Sequence, residues 1–575
     1  MRSRVLAATV GVAAVLVAVP STPATSVAPR RAAQSRVRAT PAASAPARRT
    51  TAHTGKAGAI TLAVDTAKRR HAISPLVYGV NFASQTSGLR KAFRVPVDRW
   101  GGNSTSRYNY LNHTYNTGSD WYFENIVSGS GDTLDDFVAG DQSRGSASVV
   151  TVPMTGWVSK GSPSSHPFTC SFPRSTWANQ DSFDPWDSEC GNGTRNGYTV
   201  ELDADPTTTS TAVGAPFVQA MVQSLVSTYG TAAEGGVGFF ELDNEPTLWN
   251  STHRDVHPDP LTYDELWTRS HATAAAVKAA DPSTAVLGPS DWGWCAYFYS
   301  AADSCGGSPS DHNAHGGTPL GAWYLQQFAA ADAGGDGRLL DYFDEHYYPQ
   351  AEGVSLSGAG GAATQRLRLR STRSLWDPHY ADESWISDAN GGEPLQWLRT
   401  MNAWVDAYYP GTKTAITEYN WGGLESMNGA LAQADVLGIF GREGLDLATL
   451  WGPTKASDPW AFAFRIYRNY DGASAKFGDT SVKATSSAQG RLAAYAATRS
   501  SDGALTVVVI NKTGSAIPAK LALSSFAGGA KAKVWRYSAA HPRDIVRAGS
   551  VALSGGRLAT TYPKSSITLL VLPAR

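Results

Sequence analysis

The pattern of apolar and polar positions divides this chain into two unlike parts. From residue 75 onward, short apolar runs that end in polar or aromatic residues alternate with longer stretches of helical periodicity, which is the rhythm of parallel βα units. Eight such runs follow one another: PLVYGVNF, FRVPVDRWGGN, SVVTVPMTGW, VGFFELDNEP, TAVLGPSDWGW, LLDYFDEHYYP, KTAITEYNWGG and LDLATLWGP. Eight strands close a (β/α)8 barrel, so the sequence predicts an α/β fold with a TIM barrel over residues 75–468.

Helical segments fill gaps between these runs, as a barrel requires. They read TAVGAPFVQAMVQSLVSTYG, YDELWTRSHATAAAVKAADP, PLQWLRTMNAWVDAYYPG and GALAQADVLGIFGREG. Two connecting loops are long: residues 159–205, which contain Trp177 and Trp186, and residues 350–393, which contain SLWDPHYADESWI. Loops of that length after barrel strands normally form the walls of a substrate site.

The second part of the chain has strand periodicity only. From about residue 470, short alternating segments such as GALTVVVINK, AKLALSS, AKVWRYS and SSITLLVLP are separated by Gly, Ser and Pro. This pattern predicts an additional all-β sandwich domain. The early segment AITLAVDT also alternates, and it has no partner nearby, so we assign residues 59–74 together with 469–575 to the sandwich.

The amino-terminal segment has the composition of an export signal. Met-Arg-Ser-Arg is followed by an apolar run from Val5 to Val19 and then by small residues, which predicts a signal peptide over residues 1–28. Residues 29–58 are rich in Ala, Arg, Pro, Ser and Thr, and we interpret them as a disordered linker. No later segment is long and apolar enough to span a bilayer. We therefore expect a secreted, extracellular protein that does not use a membrane as a partner, and we expect a monomer.

Charge and aromatic content narrow the class of partner. The formal net charge is zero over 575 residues, and no clustered basic face stands out beyond the amino-terminal tail, which argues against nucleic acid as a partner. The chain has 18 Trp and 23 Tyr. Most of these are expected in the core, but aromatic rings also stack on the apolar faces of sugar rings.

Four cysteines in an exported chain favour two disulfides. Of the three possible pairings, the close spacing favours Cys170 with Cys190 and Cys295 with Cys305, each of which closes a loop. Zinc is the competing interpretation, but the sequence has neither Cys-x-x-Cys nor His-Glu-x-x-His.

Two glutamates at strand ends are the candidate catalytic groups. Glu245 ends VGFFELDNEP, and Glu418 lies in KTAITEYNWGG. Paired carboxylates perform glycoside hydrolysis when one is protonated and donates a proton, while the other is ionised and attacks the anomeric carbon or activates water. The alternative is that these are two unrelated acids.

Other polar residues that end the eight runs should converge on the same barrel mouth. We expect substrate contacts from Trp100, Asn103, Arg107, Trp157, Asn244, His346, Tyr347 and Trp451. Alternative roles remain for four of them. His346 and Tyr347 could belong to the core, and Asn103 and Arg107 could shape the Gly101–Gly102 turn. Glu345 should point away from the mouth if His346 points inward.

These segments together resemble glycoside hydrolase family 44. The motifs are RWGGNSTSRYNY, GSDWYFEN, PMTGW, ELDNEP, HYYPQ, STRSLWDP, ITEYNWGG and LWGP, and the resemblance extends over residues 60–575. It implies that Glu245 is the acid/base and Glu418 the nucleophile of an endo-β-1,4-glucanase that acts on xyloglucan and other β-glycans. It also implies that the chemistry needs no cofactor and that a structural calcium can be bound. The acidic residues Asp184, Asp187 and Glu189 are candidates for that metal, although an acidic loop is usually only solvated.

The expected function is therefore a secreted, retaining endo-β-1,4-glucanase whose partner is a β-glycan polysaccharide such as cellulose or xyloglucan. Alternatives are a mannanase or xylanase on the same scaffold, and a catalytically inactive carbohydrate-binding barrel. A serine hydrolase is disfavoured because the sequence has no Gly-x-Ser-x-Gly.

Overall fold

The computed structural model of the protein describes residues 60–575. The predicted signal peptide and disordered linker lie outside these described residues. Within the described range, no helix is both long enough and apolar enough to cross a membrane.

The eight predicted strand runs form a closed barrel of parallel strands, which confirms the TIM-barrel prediction. One main strand of the second domain, β1 Ile60–Asp65, precedes them in the chain, so they are numbered from β2: β2 Gly79–Asn81, β3 Val97–Trp100, β4 Ala147–Val152, β5 Phe239–Leu242, β6 Ala285–Asp291, β7 Tyr342–Glu345, β8 Lys413–Tyr419 and β9 Leu447–Leu450. The barrel closes where Thr449 of β9 pairs with Gly79 of β2.

Helices follow the barrel strands. Those of ten residues or more are α1 Leu134–Arg144, α2 Ala215–Tyr229, α3 Tyr263–Ala280, α4 Leu320–Ala331, α5 Ala362–Ser371, α6 Trp397–Tyr408, α7 Met427–Glu443 and α8 Pro459–Arg468. The four predicted helical segments correspond to α2, α3, α6 and α7. Shorter helices span Leu89–Ala92, Trp249–Thr252, Trp294–Phe298, Ser310–Ala314 and Trp385–Ala389.

The barrel interior changes from apolar to polar along the strands. A buried apolar layer near the amino-terminal ends consists of Val97, Val149, Leu287, Tyr342, Ala415 and Leu447. Two positions further along five of these strands are the buried polar residues Arg99, Thr151, Asp344, Thr417 and Thr449. Because strand side chains alternate between two faces, residues two apart point into the same interior. A buried polar layer therefore lies directly beneath the carboxyl-terminal mouth.

The second domain is built from nine main strands. Its elements are β1 Ile60–Asp65, β10 Thr480–Ser486, β11 Leu492–Thr498, β12 Leu505–Asn511, β13 Ile517–Ser524, β14 Lys531–Ser538, β15 His541–Ala552, β16 Arg557–Tyr562 and β17 Ser566–Leu572. The strand order is β15-β14-β17-β12-β11-β10-β1-β13-β16, and the two-residue strand His71–Ala72 also pairs with β10. β1 pairs antiparallel with β10 and parallel with β13, so the first strand lies inside the carboxyl-terminal sheet. Apolar side chains from both halves of this order, including Leu62, Val507, Leu521 and Leu570, form one core.

Helix α7 joins the barrel to this sandwich. Asp435 of α7 accepts a hydrogen bond of 2.8 Å from the Tyr495 hydroxyl of β11. Gly438 is required one turn later, because a Cβ atom there would lie 2.4 Å from the Tyr495 ring. The two domains are thus in close contact along α7.

Both favoured disulfides are present. Cys170 is bonded to Cys190 in the loop after β4, and Cys295 is bonded to Cys305 after β6. Short strand pairs organise the loops around the first disulfide: Thr114–Asn116 with Asn125–Val127, Trp157–Ser159 with Ser210–Ala212, and Thr194–Arg195 with Val200–Glu201. The loops after β3 and β4 are therefore ordered by strand pairing.

Candidate active site

Glu245 and Glu418 meet at the barrel mouth on either side of His346. The Nδ1 atom of His346 lies 3.0 Å from Oε1 of Glu245 and 3.6 Å from Oε2 of Glu418. One oxygen of each carboxylate and this ring nitrogen lie within 4.8 Å of one another. The sequence-predicted pair is thus brought together from strands β5 and β8, with the imidazole between the two groups.

Arg99 is the centre of the polar layer beneath this pair. Its Nε donates to both oxygens of Glu241 at 2.8 Å, and one Nη donates to Oε1 of Glu418 at 2.7 Å. The other Nη donates to Oδ1 of Asn244 at 2.8 Å. Arg99 and Glu241 are fully buried. A planar guanidinium with several fixed donors can orient carboxylates from different strands, which a lysine cannot do.

Tyr348 supplies a second donor to Glu418. Its hydroxyl donates to Oε2 of that residue at 2.7 Å. The preceding Tyr347, predicted as a substrate contact, is instead buried, and its ring stacks on Trp421 with a centroid distance of 5.4 Å. The predicted tyrosine is therefore wrong by one position. Because side chains alternate along an extended chain, Tyr347 points outward when His346 points inward, and Tyr348 points inward again. Glu345 likewise points away from the pair, and its Oε2 accepts from the Asp291 amide at 3.1 Å.

The two candidate carboxyls have different electrostatic surroundings. Burial raises the pKa of Glu245 to about 8, although the Arg99 charge opposes the shift. Glu245 is therefore protonated at neutral pH. Glu418 instead accepts hydrogen bonds from the Arg99 guanidinium at 2.7 Å and from the Tyr348 hydroxyl at 2.7 Å. Burial lowers the pKa of His346 to about 4, so the imidazole between them is neutral.

The backbone that presents Glu245 is strained. Asp243 and Glu245 have φ angles of 65° and 48°, in the left-handed region that non-glycine residues rarely occupy. The Asp243 carboxylate accepts from the Asn244 amide at 2.8 Å and from the indole of Trp249 at 3.3 Å. The Glu245 amide donates to the Ser290 carbonyl at 3.0 Å. Such conformations cost about 1–3 kcal/mol each and persist where surrounding contacts fix them, as these do.

A chain of amides connects the pair to an exposed aromatic surface. Asn244 donates to Asn103 at 3.0 Å, and Asn103 donates to both oxygens of Asp120 at 3.1 Å. The next residue, Trp121, stacks on Trp186 with a centroid distance of 5.1 Å. These two rings are 37% and 68% exposed, which makes them an aromatic platform available to a ligand.

Two further tryptophans have surfaces near the mouth. Trp451 directly follows β9, and its ring packs edge-on against Phe82 and lies so close to Gly102 that a Cβ there would be 2.6 Å from it. Trp157 is half-buried on the short strand that pairs with residues 210–212. Neither ring is enclosed in the core.

Two predicted substrate contacts are corrected because the structure buries them. Trp100 is 6% exposed and packs edge-on against Tyr108, since Arg99 takes the inward position of that strand. Arg107 is fully buried and donates to the Asp255 carboxylate at 3.0 Å. Both side chains are packed against other residues of the walls.

A second group of acids lies away from the barrel axis. Asp184 and Asp187 of the long third loop are buried beside Glu124. Burial, together with Asp184 and Asp187, raises the pKa of Glu124 to about 9, and its Oε1 has no hydrogen-bond partner among the described residues. Buried carboxylates that lie beside one another suit a hard divalent cation, so these residues fit the calcium that the family resemblance implies. Glu189, by contrast, is turned away and accepts from the Ser175 amide.

Three residues of the site were missed by the sequence analysis. Arg99, Glu241 and Tyr348 each lie next to a predicted site residue or within one of the eight predicted runs. The signal for Arg99 and Glu241 was a charged residue inside a buried barrel strand, a position where an unpaired charge is too costly to exist. The alternation of side chains that turns Glu345 away from the mouth also predicts that Tyr348 points into it.

Comparisons with known proteins agree with this geometry. A family model described as glycoside hydrolase family 44 matches residues 114–351. The chain is 31% identical to endoglucanase A of Paenibacillus lautus over 541 residues, which cover 90% of this chain and 73% of that one. Its fold matches CelM2, a bifunctional glucanase-xylanase from a metagenome library, with a TM-score of 0.85, 43% identity, and coverage of 90% of this chain and 99% of that one. It also matches a Paenibacillus polymyxa xyloglucanase of family 44 with a TM-score of 0.74, 31% identity, and the same two coverages.

Proposed function

Because the chain belongs to glycoside hydrolase family 44, we propose that it is a retaining endo-β-1,4-glucanase. The observation that carries the proposal is that one oxygen of Glu245 lies within 4.8 Å of one oxygen of Glu418, where burial raises the pKa of Glu245 to about 8 and Glu418 accepts hydrogen bonds from Arg99 and Tyr348. Retaining enzymes have carboxyls about 5 to 5.5 Å apart, whereas inverting enzymes need roughly 6.5 to 9.5 Å to admit a water. The spacing supports retention.

In the first step, Glu418 attacks the anomeric carbon while Glu245 protonates the departing glycosidic oxygen. The C–O bond to the leaving sugar breaks as the bond to Oε of Glu418 forms, and the intermediate is a covalent glycosyl-enzyme. In the second step, Glu245, now ionised, removes a proton from water as the water attacks the same carbon. Glu418 leaves as a carboxylate, stabilised again by Arg99 and Tyr348.

Substrate contacts are proposed for residues that lie at the mouth around the two carboxyls. The Asn244 amide is positioned to bond a sugar hydroxyl next to the scissile bond, with Asn103 behind it. Trp451 would form the floor under the sugar at the cleavage point, and Trp157 a part of the wall. His346 would hold both carboxyls in place.

The proposed substrate is a β-1,4-glucan, including xyloglucan. Relatives of this chain are named endoglucanase, xyloglucanase and glucanase-xylanase. The exposed platform of Trp121 and Trp186 suits a polysaccharide that extends beyond the cleavage point. A xylanase or mannanase activity is the alternative, because substituents and one axial hydroxyl distinguish these polymers.

We also propose that the enzyme is secreted, acts as a monomer and holds a structural calcium through Glu124, Asp184 and Asp187. Two disulfides support an oxidising compartment. The calcium would supply the positive charge that the buried acids need, and it takes no part in the chemistry.

The test compares Glu418→Ala, Glu245→Ala and the exposed control Glu425→Ala on aryl β-cellobiosides. Glu418→Ala should abolish turnover on every substrate. Glu245→Ala should spare leaving groups that need no proton, and azide should restore part of its turnover by attacking the intermediate. Glu425→Ala should behave as the parent. The reverse pattern would exchange the two roles, and a parent without turnover would indicate an inactive carbohydrate-binding barrel.

Stereochemistry and substrate are tested on the parent enzyme. Proton NMR of the first product should show the β-anomer, and an α-anomer as first product would refute retention. Reducing-end assays on cellulose, xyloglucan, xylan and mannan should rank the glucans first.

A further inference from the structure

A cavity lies between the barrel and the sandwich, apart from the catalytic mouth. Its volume is about 240 Å³, and its walls come from three separate stretches of the chain. Arg373, Trp376 and Asp377 belong to the motif STRSLWDP, which the catalytic site does not use. Asp435 lies on α7, and Gln489 and Lys512 belong to the sandwich.

The charges in this cavity are balanced in pairs. Lys512 is bonded to Asp435, and the two side chains are only 4% and 2% exposed. Arg373 donates through Nε to Asp377 at 2.7 Å. With two cations and two carboxylates, the cavity carries no net charge, so it does not favour an anion or a cation.

Hydrogen-bonding capacity remains after these pairs are made. The Gln489 side chain approaches the Tyr495 hydroxyl, but its buried Nε2 atom makes no hydrogen bond among the described residues. Arg373 uses only Nε in its pair with Asp377, and Lys512 has three donors, of which the Asp435 contact uses one. A buried donor without a partner is costly, so a ligand that supplies acceptors would be favoured here.

Trp376 adds an aromatic wall to the same cavity. The guanidinium of Arg442 lies 4.0 Å from its ring centroid and fixes the indole in place. The guanidinium covers one face of the indole, so the cavity meets the remaining indole surface. An indole surface beside hydrogen-bond donors and carboxylates suits a pyranose, whose C–H groups pack against the indole while its hydroxyls both donate and accept.

We propose that this cavity is a second sugar-binding site, which takes one neutral pyranose. Its walls enclose the ligand on several sides, so the sugar is a free monosaccharide or the end of a glycan chain, and not an internal segment of a polymer. The site is separate from the cleft, and its occupation bridges STRSLWDP, α7 and the sandwich.

The experiment measures sugar binding in the Glu418→Gln background, which prevents hydrolysis. Saturation-transfer difference NMR with D-glucose compares this parent with Gln489→Leu and Arg373→Gln, and with the cleft variant Trp451→Ala. Loss of one or two hydrogen bonds should weaken glucose binding by about five- to tenfold in the first two variants, with binding retained in Trp451→Ala. Thermal melts establish that each variant is folded. If only one of the two cavity variants folds, that variant alone is enough to test the proposal.

Two results would overturn the proposal. One is glucose binding that is absent in the parent, or lost in Trp451→Ala and unchanged in both cavity variants. The other is displacement of glucose from the cavity by sulfate, which would identify an anion site. Retention of the protein on swollen cellulose distinguishes a free monosaccharide from the end of a glycan chain. If Gln489→Leu is retained more weakly than its parent, the cavity binds chain ends. If its retention is unchanged while its glucose binding is weaker, the cavity binds a free sugar.

Discussion

Replacing Tyr348 with phenylalanine tests how the nucleophile is held. The substitution removes a single hydroxyl, which donates to Oε2 of Glu418 at 2.7 Å, and keeps the ring. Glu418 retains its contact with Arg99, so the carboxylate stays in the site. The variant therefore isolates one hydrogen bond to the proposed nucleophile.

The magnitude follows from the charge on the acceptor. A hydrogen bond to an ionised group contributes about 1.5–3 kcal/mol, and each 1.36 kcal/mol corresponds to a factor of ten in rate. Tyr348 stabilises Glu418 most when that residue departs from the glycosyl-enzyme as a carboxylate. We expect hydrolysis of the intermediate to slow by roughly 10- to 150-fold in Tyr348→Phe.

The assay uses dinitrophenyl β-cellobioside, whose leaving group makes the second step limiting. Tyr348→Phe should lower kcat, show a burst of phenolate and accumulate a glycosyl-enzyme detectable by mass spectrometry. Tyr347→Phe is the matched control, because that hydroxyl is buried and does not contact either carboxylate, so its kcat should stay within about twofold. Equal losses in the two variants, or a Tyr348→Phe enzyme within threefold of the parent, would refute the assignment.

Three further predictions concern pH, metal and disulfides. Because Glu245 must be protonated to act as the acid and burial raises its pKa to about 8, kcat/KM on xyloglucan should fall as pH rises through about 8; a kcat/KM that stays constant from about pH 7 to about pH 9 would contradict this. Chelation by EDTA should lower the Tm, and Glu124→Gln should make the Tm insensitive to both EDTA and added calcium; equal sensitivity in the variant would exclude the proposed ligands. Closing the loop between Cys170 and Cys190 restricts the unfolded chain by about 3 kcal/mol, so reduction should lower barrel stability and substrate affinity while the sandwich strands stay protected from hydrogen exchange; loss of protection in the sandwich first would show the opposite.

The parts of the fold that depend on local periodicity could be predicted from the sequence. All eight barrel strands coincide with the eight predicted runs, and Glu245 and Glu418 face each other because parallel strands of a barrel share one mouth. The placement of β1 followed from its lack of a nearby partner.

The remaining features depend on side-chain direction or on distant contacts. Trp100 and Tyr347 are predicted as substrate contacts from their residue type. Because side chains alternate along each strand, these two point away from the site, and their neighbours Arg99 and Tyr348 point into it. The acids of the third loop became a coherent group only with Glu124, about sixty residues earlier in the chain. No periodicity relates residues so far apart, so only the fold could assemble them.

The position of β1 has a consequence for biosynthesis. Its partners β10 and β13 follow it by more than 400 residues. At a translation rate of about 5–20 residues per second, β1 leaves the ribosome roughly 20 to 80 s before either partner. An apolar strand of this kind with open edges pairs readily with other chains. The interval is long enough for the barrel to fold first, and during it the nascent chain would need a chaperone or an export factor to cover Ile60, Leu62 and Val64.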